Sequence, residues 1–475
     1  MTATFDVLTQ GWIPVTDPEG NLRKVGLAES LKNAHKFVGI SDPSPMVEYG
    51  LHRFLSVFLM DALRPADQEA LEDLLEEGAF DGETIDGYIA RCRSEGVSFD
   101  LFDSERPFLQ TPYVPELDEK KEKPAATLDY TLPSGNNHTH FDHRRTIAFS
   151  FDEAAKLLVP AQIFCTAGLQ GPSNVSGAPP YYTVVKGRTL FETLIFSMIP
   201  LDQINISFDD PPVFWRNQMP VNPREEVAET SWLYGMLFPA RRITLVPDET
   251  VVTGIYLSAG LDFKTMESWE DPSVTYRYGK NGRAPWRPNQ EKAVWRNLND
   301  LVNVNGKRAP AVLRQYFALE KDSEEAYITL YGVQTNQASF LNAVQYDLQI
   351  PAQLTRDDDL LQCVTLEIRA AENMGKALRG TFQNAPEIVP SMVTQAVNSF
   401  YDRCGQKIWS LCRNAGTEEL RTQYSNWCDF VKKTAQDVRA DVLLQSHLTG
   451  RALANAAAHD RDIPDMDRKN KKEME

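Results

Sequence analysis

A chain of 475 residues with 42% apolar content can bury a large core and exceeds the usual size of one domain, so two folding units are expected. Its formal charge of -17 weighs against a protein that is basic throughout, as most nucleic-acid binders are, although screening leaves room for a local cationic patch. No apolar run is long enough to span a bilayer. The first residues lack a basic segment followed by an apolar one, so a cytoplasmic location without membrane contact is expected.

Phe5 to Val15 has the aromatic and β-branched content of a strand. Met46 to Leu63 places Met46, Leu51, Phe54, Leu55, Phe58, Leu59 and Leu63 at helical spacing, which predicts a core-facing helix. Pro115 to Pro124 reads as a charged, proline-bounded loop. A second apolar helix is expected from Ala154 to Phe164. Two irregular segments flank it, Ser134 to His143 and Ala167 to Pro180, rich in Gly, Asn, Ser and Pro, the composition in which ligand contacts usually sit. In the second of these, Gly168, Gly171 and Gly177 let a backbone come close to a ligand, and the same composition fits a flexible surface loop.

Arg277 to Arg314 is the most basic window. It holds nine Lys or Arg (Arg277, Lys280, Arg283, Arg287, Lys292, Arg296, Lys307, Arg308, Arg314) against two acids, Glu291 and Asp300. Trp286 and Trp295 are interleaved as stacking candidates, so a solvated face and a nucleic-acid surface are both consistent with it. Just beyond, Gly332-Val-Gln-Thr-Asn-Gln-Ala-Ser339 puts the amides Asn336 and Gln337 on a turn. Amides on a tip beside positive charge suggest a finger directed at nucleic acid, while a hairpin of ordinary turn residues is the plainer alternative.

From Leu360 the pattern becomes helical, with Leu360 to Phe382, Glu387 to Arg413, Glu418 to Val438 and Asp441 to His459 predicted as a four-helix bundle. Val397, Phe400, Cys404, Ile408, Leu411 and Cys412 fall along one stripe of the second helix. The expected organisation is therefore α+β: a large mixed N-terminal domain (1–355) with long surface loops, then the bundle (360–459), then a charged tail (460–475) expected to be disordered. Six scattered cysteines without a Cys-x-x-Cys pair predict buried free thiols.

One enzyme motif stands out, His138-x-His140-x-Asp142-His143, the metal-binding signature of metallo-β-lactamase-fold hydrolases. That chemistry draws further histidines from downstream, and none occurs between His143 and His447. Phosphate-loop, nucleophile-elbow and His-Glu-x-x-His motifs are missing from the sequence. A metal-dependent hydrolase is kept as the alternative reading.

Taken together, several short segments in this order resemble the large subunit of the type I-E CRISPR surveillance complex, Cascade. They are Gln10-Gly-Trp-Ile-Pro-Val15, Arg106-Pro-Phe-Leu-Gln-Thr111, Ser134-Gly-Asn-Asn137 with Phe141-Asp142-His143, the glycine loop, Val185-Lys-Gly-Arg-Thr-Leu-Phe-Glu-Thr193 and Thr335-Asn-Gln-Ala-Ser339. The resemblance implies a non-catalytic subunit without cofactor or metal. Such a subunit reads the protospacer-adjacent motif of double-stranded DNA from the minor groove and opens the duplex for guide-RNA pairing. By the same resemblance Gln337, with Asn336 beside it, corresponds to the wedge, and Gly168 to Gly171 to the glycine loop, here interrupted by Leu169 and Gln170. The lysine that enters the minor groove corresponds to Lys280, with Arg277 as the alternative. Gly135, Asn136, Asn137, His138 and Phe141 correspond to a loop on the guide-RNA 5′ handle and a neighbouring subunit. The other implied partners are the backbone, handle-binding and small subunits of Cascade and a recruited helicase-nuclease.

Overall fold

The first element of the chain differs from the strand expected over Phe5 to Val15. Asp6 turns the backbone instead: its carboxylate accepts from the Leu8 amide at 2.9 Å and the Thr9 hydroxyl at 3.1 Å, and its own amide donates to Gln10 at 2.7 Å. The strand β1 (Ile13–Thr16) begins only after this turn and pairs antiparallel with β2 (Leu22–Val25). The computed structural model describes residues 3–132, 147–264, 268–279, 282–289, 292–336, 339–383, 385, 388–413, 419–459 and 461–474.

Two compact units divide the chain. One comprises residues 1–288, 310–322 and 326–349; the other comprises 289–309, 323–325 and 350–475. This division differs from a single boundary near 355, because part of the basic window groups with the helical residues. There Trp295 and Leu298 are buried, and the Trp295 ring lies 6.2 Å from that of Tyr401.

The first unit is built around α1 (Pro45–Leu63), whose apolar residues are so continuous that nearly the whole helix is buried, against α2 (Phe151–Ile163). α2 starts three residues before the expected Ala154, at a capping box formed by Ser150 and Glu153. Beside these helices, β3 (Tyr182–Lys186) opens one sheet, while β4 (Arg241–Asp248) and β5 (Val251–Ala259) form the long hairpin of another. Glu122–Pro124, read from sequence as part of a loop, pairs with β5, and Pro115–Asp118 before it is a short helix. A smaller hairpin, β6 (Tyr276–Gly279) and β7 (Gly282–Pro285), follows. The longest hairpin is β8 (Glu325–Asn336) and β9 (Ser339–Pro351), in a sheet ordered β9-β8-β3.

Motifs that carry the family resemblance prove to be structural fasteners. In the Arg106–Thr111 segment, Gln110 donates to the Leu101 carbonyl at 2.7 Å and accepts from the Leu245 amide at 2.7 Å, clamping β4. In Val185–Thr193, the Thr189 hydroxyl accepts from the Glu192 amide at 3.2 Å and caps the helix Leu190–Ile195, while Lys186 pairs with Glu48 at 3.1 Å.

One buried ion pair orders the core under the site. Arg53, from α1, contacts Asp271 at 2.7 Å with both side chains 3% exposed, and its guanidinium lies 5.3 Å from the ring centroids of Tyr49 and of Tyr182. Breaking one side of such a pair costs about 3–5 kcal/mol because the other charge is left buried.

In the second unit, α3 (Asp358–Gly380), α4 (Pro390–Arg413) and α5 (Leu420–Gln445) follow the predicted amphipathic pattern; Val397, Phe400, Cys404, Ile408 and Cys412 of the stripe are buried, and Leu411 is half-buried. α5 continues through the break expected at Val438 to Asp441, and the next segment holds only the short α6 (Gly450–Ala457). The fourth long member is α7 (Asp462–Lys471), within the tail expected to be disordered. α3 and α5 pack on each other, and each packs on both α4 and α7. Composition misled because the docking is largely polar. The Asn470 amide donates to the Ala370 carbonyl at 3.1 Å, its carbonyl accepts from the Tyr424 hydroxyl at 2.9 Å, and Asp467 accepts from Lys432 at 3.2 Å. All six cysteines are buried and free.

Candidate nucleic-acid interface

Between α2 and β3 the chain makes a two-residue turn. Gly168 and Gly171 exchange backbone hydrogen bonds, 2.9 Å from the Gly168 amide and 3.2 Å from the Gly171 amide, leaving Leu169 and Gln170 at the tip. Gly171 has φ of +148°, and a Cβ there would lie 2.6 Å from Arg241 Nη1 and 3.0 Å from Ala259 Cα, so only glycine fits.

This turn is not a loose loop. Arg241, 2% exposed, donates to the Thr166 carbonyl at 2.7 Å and also to the Pro172 carbonyl, gripping the chain on both sides of the tip. Arg224 donates to the Gly168 carbonyl at 3.2 Å. Gln162 of α2 bonds the Arg241 backbone in both directions, at 2.8 and 3.0 Å, and its carbonyl accepts from Asn174 at 2.9 Å. At the far end, Arg287 donates to the Ala178 carbonyl at 3.0 Å. Arg224 and Arg241 escape sequence reasoning, since neither lies in the basic window or beside the glycines in the chain.

Two hairpins adjoin the beginning of β3, where the glycine segment ends. The Tyr181 amide donates to the Trp286 carbonyl at 2.8 Å, the Trp286 amide to Thr275 at 2.8 Å, and the Thr183 amide to Ser273 at 2.8 Å. These bonds fix the β6-β7 hairpin that carries Arg277, whose guanidinium lies 5.6 Å from the Trp286 ring centroid. On β8, Tyr331 is registered with Tyr182, so the strand runs on past the start of β3 for about five residues, roughly 15 Å, to the exposed Asn336. Gly332 permits the crossing: a Cβ there would sit 2.6 Å from Pro288 Cγ and 3.0 Å from Tyr181 Cδ1. The fold therefore ties the Arg277 hairpin and the β8-β9 hairpin to the start of β3, while the Gly168–Gly171 turn is held by Arg241 at the start of β4 and lies against Ala259 at the end of β5.

The basic window contributes less free charge than its count suggests. Arg283 pairs with Glu270 and lies 4.3 Å from the Tyr276 ring centroid, Arg296 and Lys292 contact Glu372 at 2.6 and 3.8 Å, and Arg308 contacts Asp300 at 3.0 Å. Trp286 and Trp295, expected as stacking platforms, are each 3% exposed and act as core residues. Gln337, Lys280 and the segment holding Gly135, Asn136, Asn137, His138, His140, Phe141, Asp142 and His143 lie outside the described residues. Among the described residues there is no cluster of three or more metal-ligating side chains, and no helix is long and apolar enough to cross a membrane.

A family model described as CRISPR-associated protein Cse1 matches residues 6–438. The chain belongs to the Cse1 family. A curated Cse1 relative, the CRISPR-associated protein CasA/Cse1 of Thermus thermophilus, is 30% identical over 398 residues, covering 79% of this chain and 74% of the relative. The crystal structure of Thermus thermophilus CasA superposes with a TM-score of 0.81 at 22% identity, over 98% of this chain and all of that one. Cse1 of Acidimicrobium ferrooxidans gives 0.77 at 20% identity, with 99% of each chain covered. A chain of a CRISPR RNA-guided surveillance complex gives 0.70 at 19% identity, over 97% of this chain and 99% of that one. At these identities the structural likenesses establish a shared Cse1 fold, mixed α+β followed by helices.

Proposed function

We propose that this Cse1-family chain is the large subunit of a type I-E Cascade complex in antiviral defence, and that it reads a protospacer-adjacent motif in double-stranded DNA and opens the helix. The observation that supports this reading most directly is the glycine turn held rigid by Arg241 and Arg224, together with the start of β3 joined to the Arg277 hairpin and to the β8 strand that runs on to the exposed Asn336. A narrow turn whose tip is held clear of the body can approach base edges in the minor groove, where bulkier elements do not fit. Gln337 acts as the wedge. Unstacking a base step costs a few kcal/mol, which phosphate contacts and the forming guide-target heteroduplex offset.

In this reading Lys280 or Arg277 enters the groove beside the turn, and Gly135, Asn136, Asn137, His138 and Phe141 dock on the guide-RNA 5′ handle and an adjoining subunit. The helical unit meets the small subunits and the displaced strand, and the surface of the chain recruits a helicase-nuclease. The chain itself binds and separates strands; cleavage is left to the recruited partner. In a reconstituted complex, Gln337→Ala is expected to leave assembly with guide RNA intact while lowering R-loop yield on a motif-bearing duplex severalfold, read by permanganate footprinting of the displaced strand. Equal R-loop yields for variant and wild type would remove the wedge assignment.

A further inference from the structure

Leu169 is 103% exposed, more than any other large apolar side chain among the described residues, and it occupies the tip of the arginine-held turn. Single exposed leucines such as Leu444 on a helix surface need no explanation. Leu169 differs in its support. A loose loop could fold its apolar tip back onto the protein, but here the backbone is closed by reciprocal bonds between Gly168 and Gly171 and gripped by Arg241 and Arg224. The leucine is therefore held away from the core, with its ordering cost already met by the fold.

We infer that Leu169 is an apolar wedge that inserts at a base step of the minor groove beside the motif. This rests on the DNA-reading function proposed above and adds a second point of helix distortion, distinct from Gln337. A branched aliphatic side chain on a narrow, preorganised tip is the chemistry that partly unstacks a step and kinks the duplex. The arginine at the turn favours DNA over an apolar protein groove: Arg224 is exposed and bonds the Gly168 carbonyl beside Leu169, and its remaining N–H groups suit a phosphate next to the inserted leucine.

The test uses the fully assembled complex with Leu169→Ala and Leu169→Met. Binding is measured to a closed motif-bearing duplex and to the same target pre-opened by a mismatched bubble, with 2-aminopurine at the step next to the motif reporting unstacking. Leu169→Ala is expected to lose about tenfold in affinity for the closed duplex, equivalent to about 1.4 kcal/mol, and to lose the 2-aminopurine signal. It should bind the pre-opened target like wild type, and Leu169→Met should restore most of the closed-duplex affinity. Unchanged affinity and fluorescence for Leu169→Ala, in a complex whose wild type discriminates the motif, would overturn the wedge alone. Equal loss on closed and pre-opened targets would overturn it in favour of a protein contact. A wild-type complex indifferent to the motif would overturn the underlying DNA-reading function, and the wedge with it.

Discussion

Glu367 sits fully buried on α3 with one carboxylate oxygen accepting from Gln423 at 3.0 Å and the other without a hydrogen-bond partner among the described residues. Burial raises its pKa from 4.5 to about 7, against which the Gln423 bond is the weaker influence. The native state thus holds this proton more tightly than the unfolded chain does. Its contribution to stability is full below pH 4.5 and falls as pH rises toward about 7, the opposite of a salt-bridged carboxylate. Glu367→Gln removes the titration while keeping the shape. Its advantage over wild type in thermal melts is expected to grow from little at pH 5 to up to about 3 kcal/mol at pH 8; a difference independent of pH would refute the assignment. Gly171 shows how a residue becomes legible only in context. From sequence it is one glycine of three, and in the fold it is the position where Arg241 and β5 leave no room for a Cβ.

At the scale of elements, the helices with strong apolar periodicity, α1 to α5, were readable because a 3.6-residue stripe has one stable solution, burial on a neighbour. α7 was not, because its sequence offers little apolar area; Asn470 donates to a backbone carbonyl of α3 and accepts from the Tyr424 hydroxyl of α5, and Asp467 accepts from Lys432 of α5. If that docking stabilises the bundle, a chain ending at residue 460 should show faster amide exchange in α3 and α5 by at least tenfold, with the first unit unaffected. Unchanged protection would mean that α7 rests on the bundle without supporting it. The same lesson applies to β8. Its amide tip was visible in the sequence, but its roughly 15 Å extension past β3 follows from the pairing register.

For the molecule as a whole, charge gives a test. The body carries -17, and much of the cationic window is already spent on Glu270, Glu372 and Asp300, so under the proposed function a duplex would meet a small positive surface on an anionic protein. At about 0.15 M salt the Debye length is about 8 Å and the body is screened from a bound duplex; at 0.01 M it is about 30 Å and the whole negative charge is felt. Affinity of the isolated full chain for duplex should therefore pass through a maximum as salt falls, measured by fluorescence anisotropy. A steady rise down to about 0.01 M would show that a local patch alone governs binding.

The amino-acid sequence by itself determined the class of fold, the amphipathic helices, the free thiols and the family, because these depend on local periodicity, on cysteine spacing and on short motifs kept in order. Tertiary structure alone decided which charges remain available and which residues meet. Trp286 and Trp295 went to the core, Arg224 and Arg241 arrived from distant segments to hold the glycine turn, and residues 289–309 joined the helical unit. The physical reason is that burial, ion pairing and strand register are long-range properties. A residue's own type sets what it can do, and its packed neighbours set what it does.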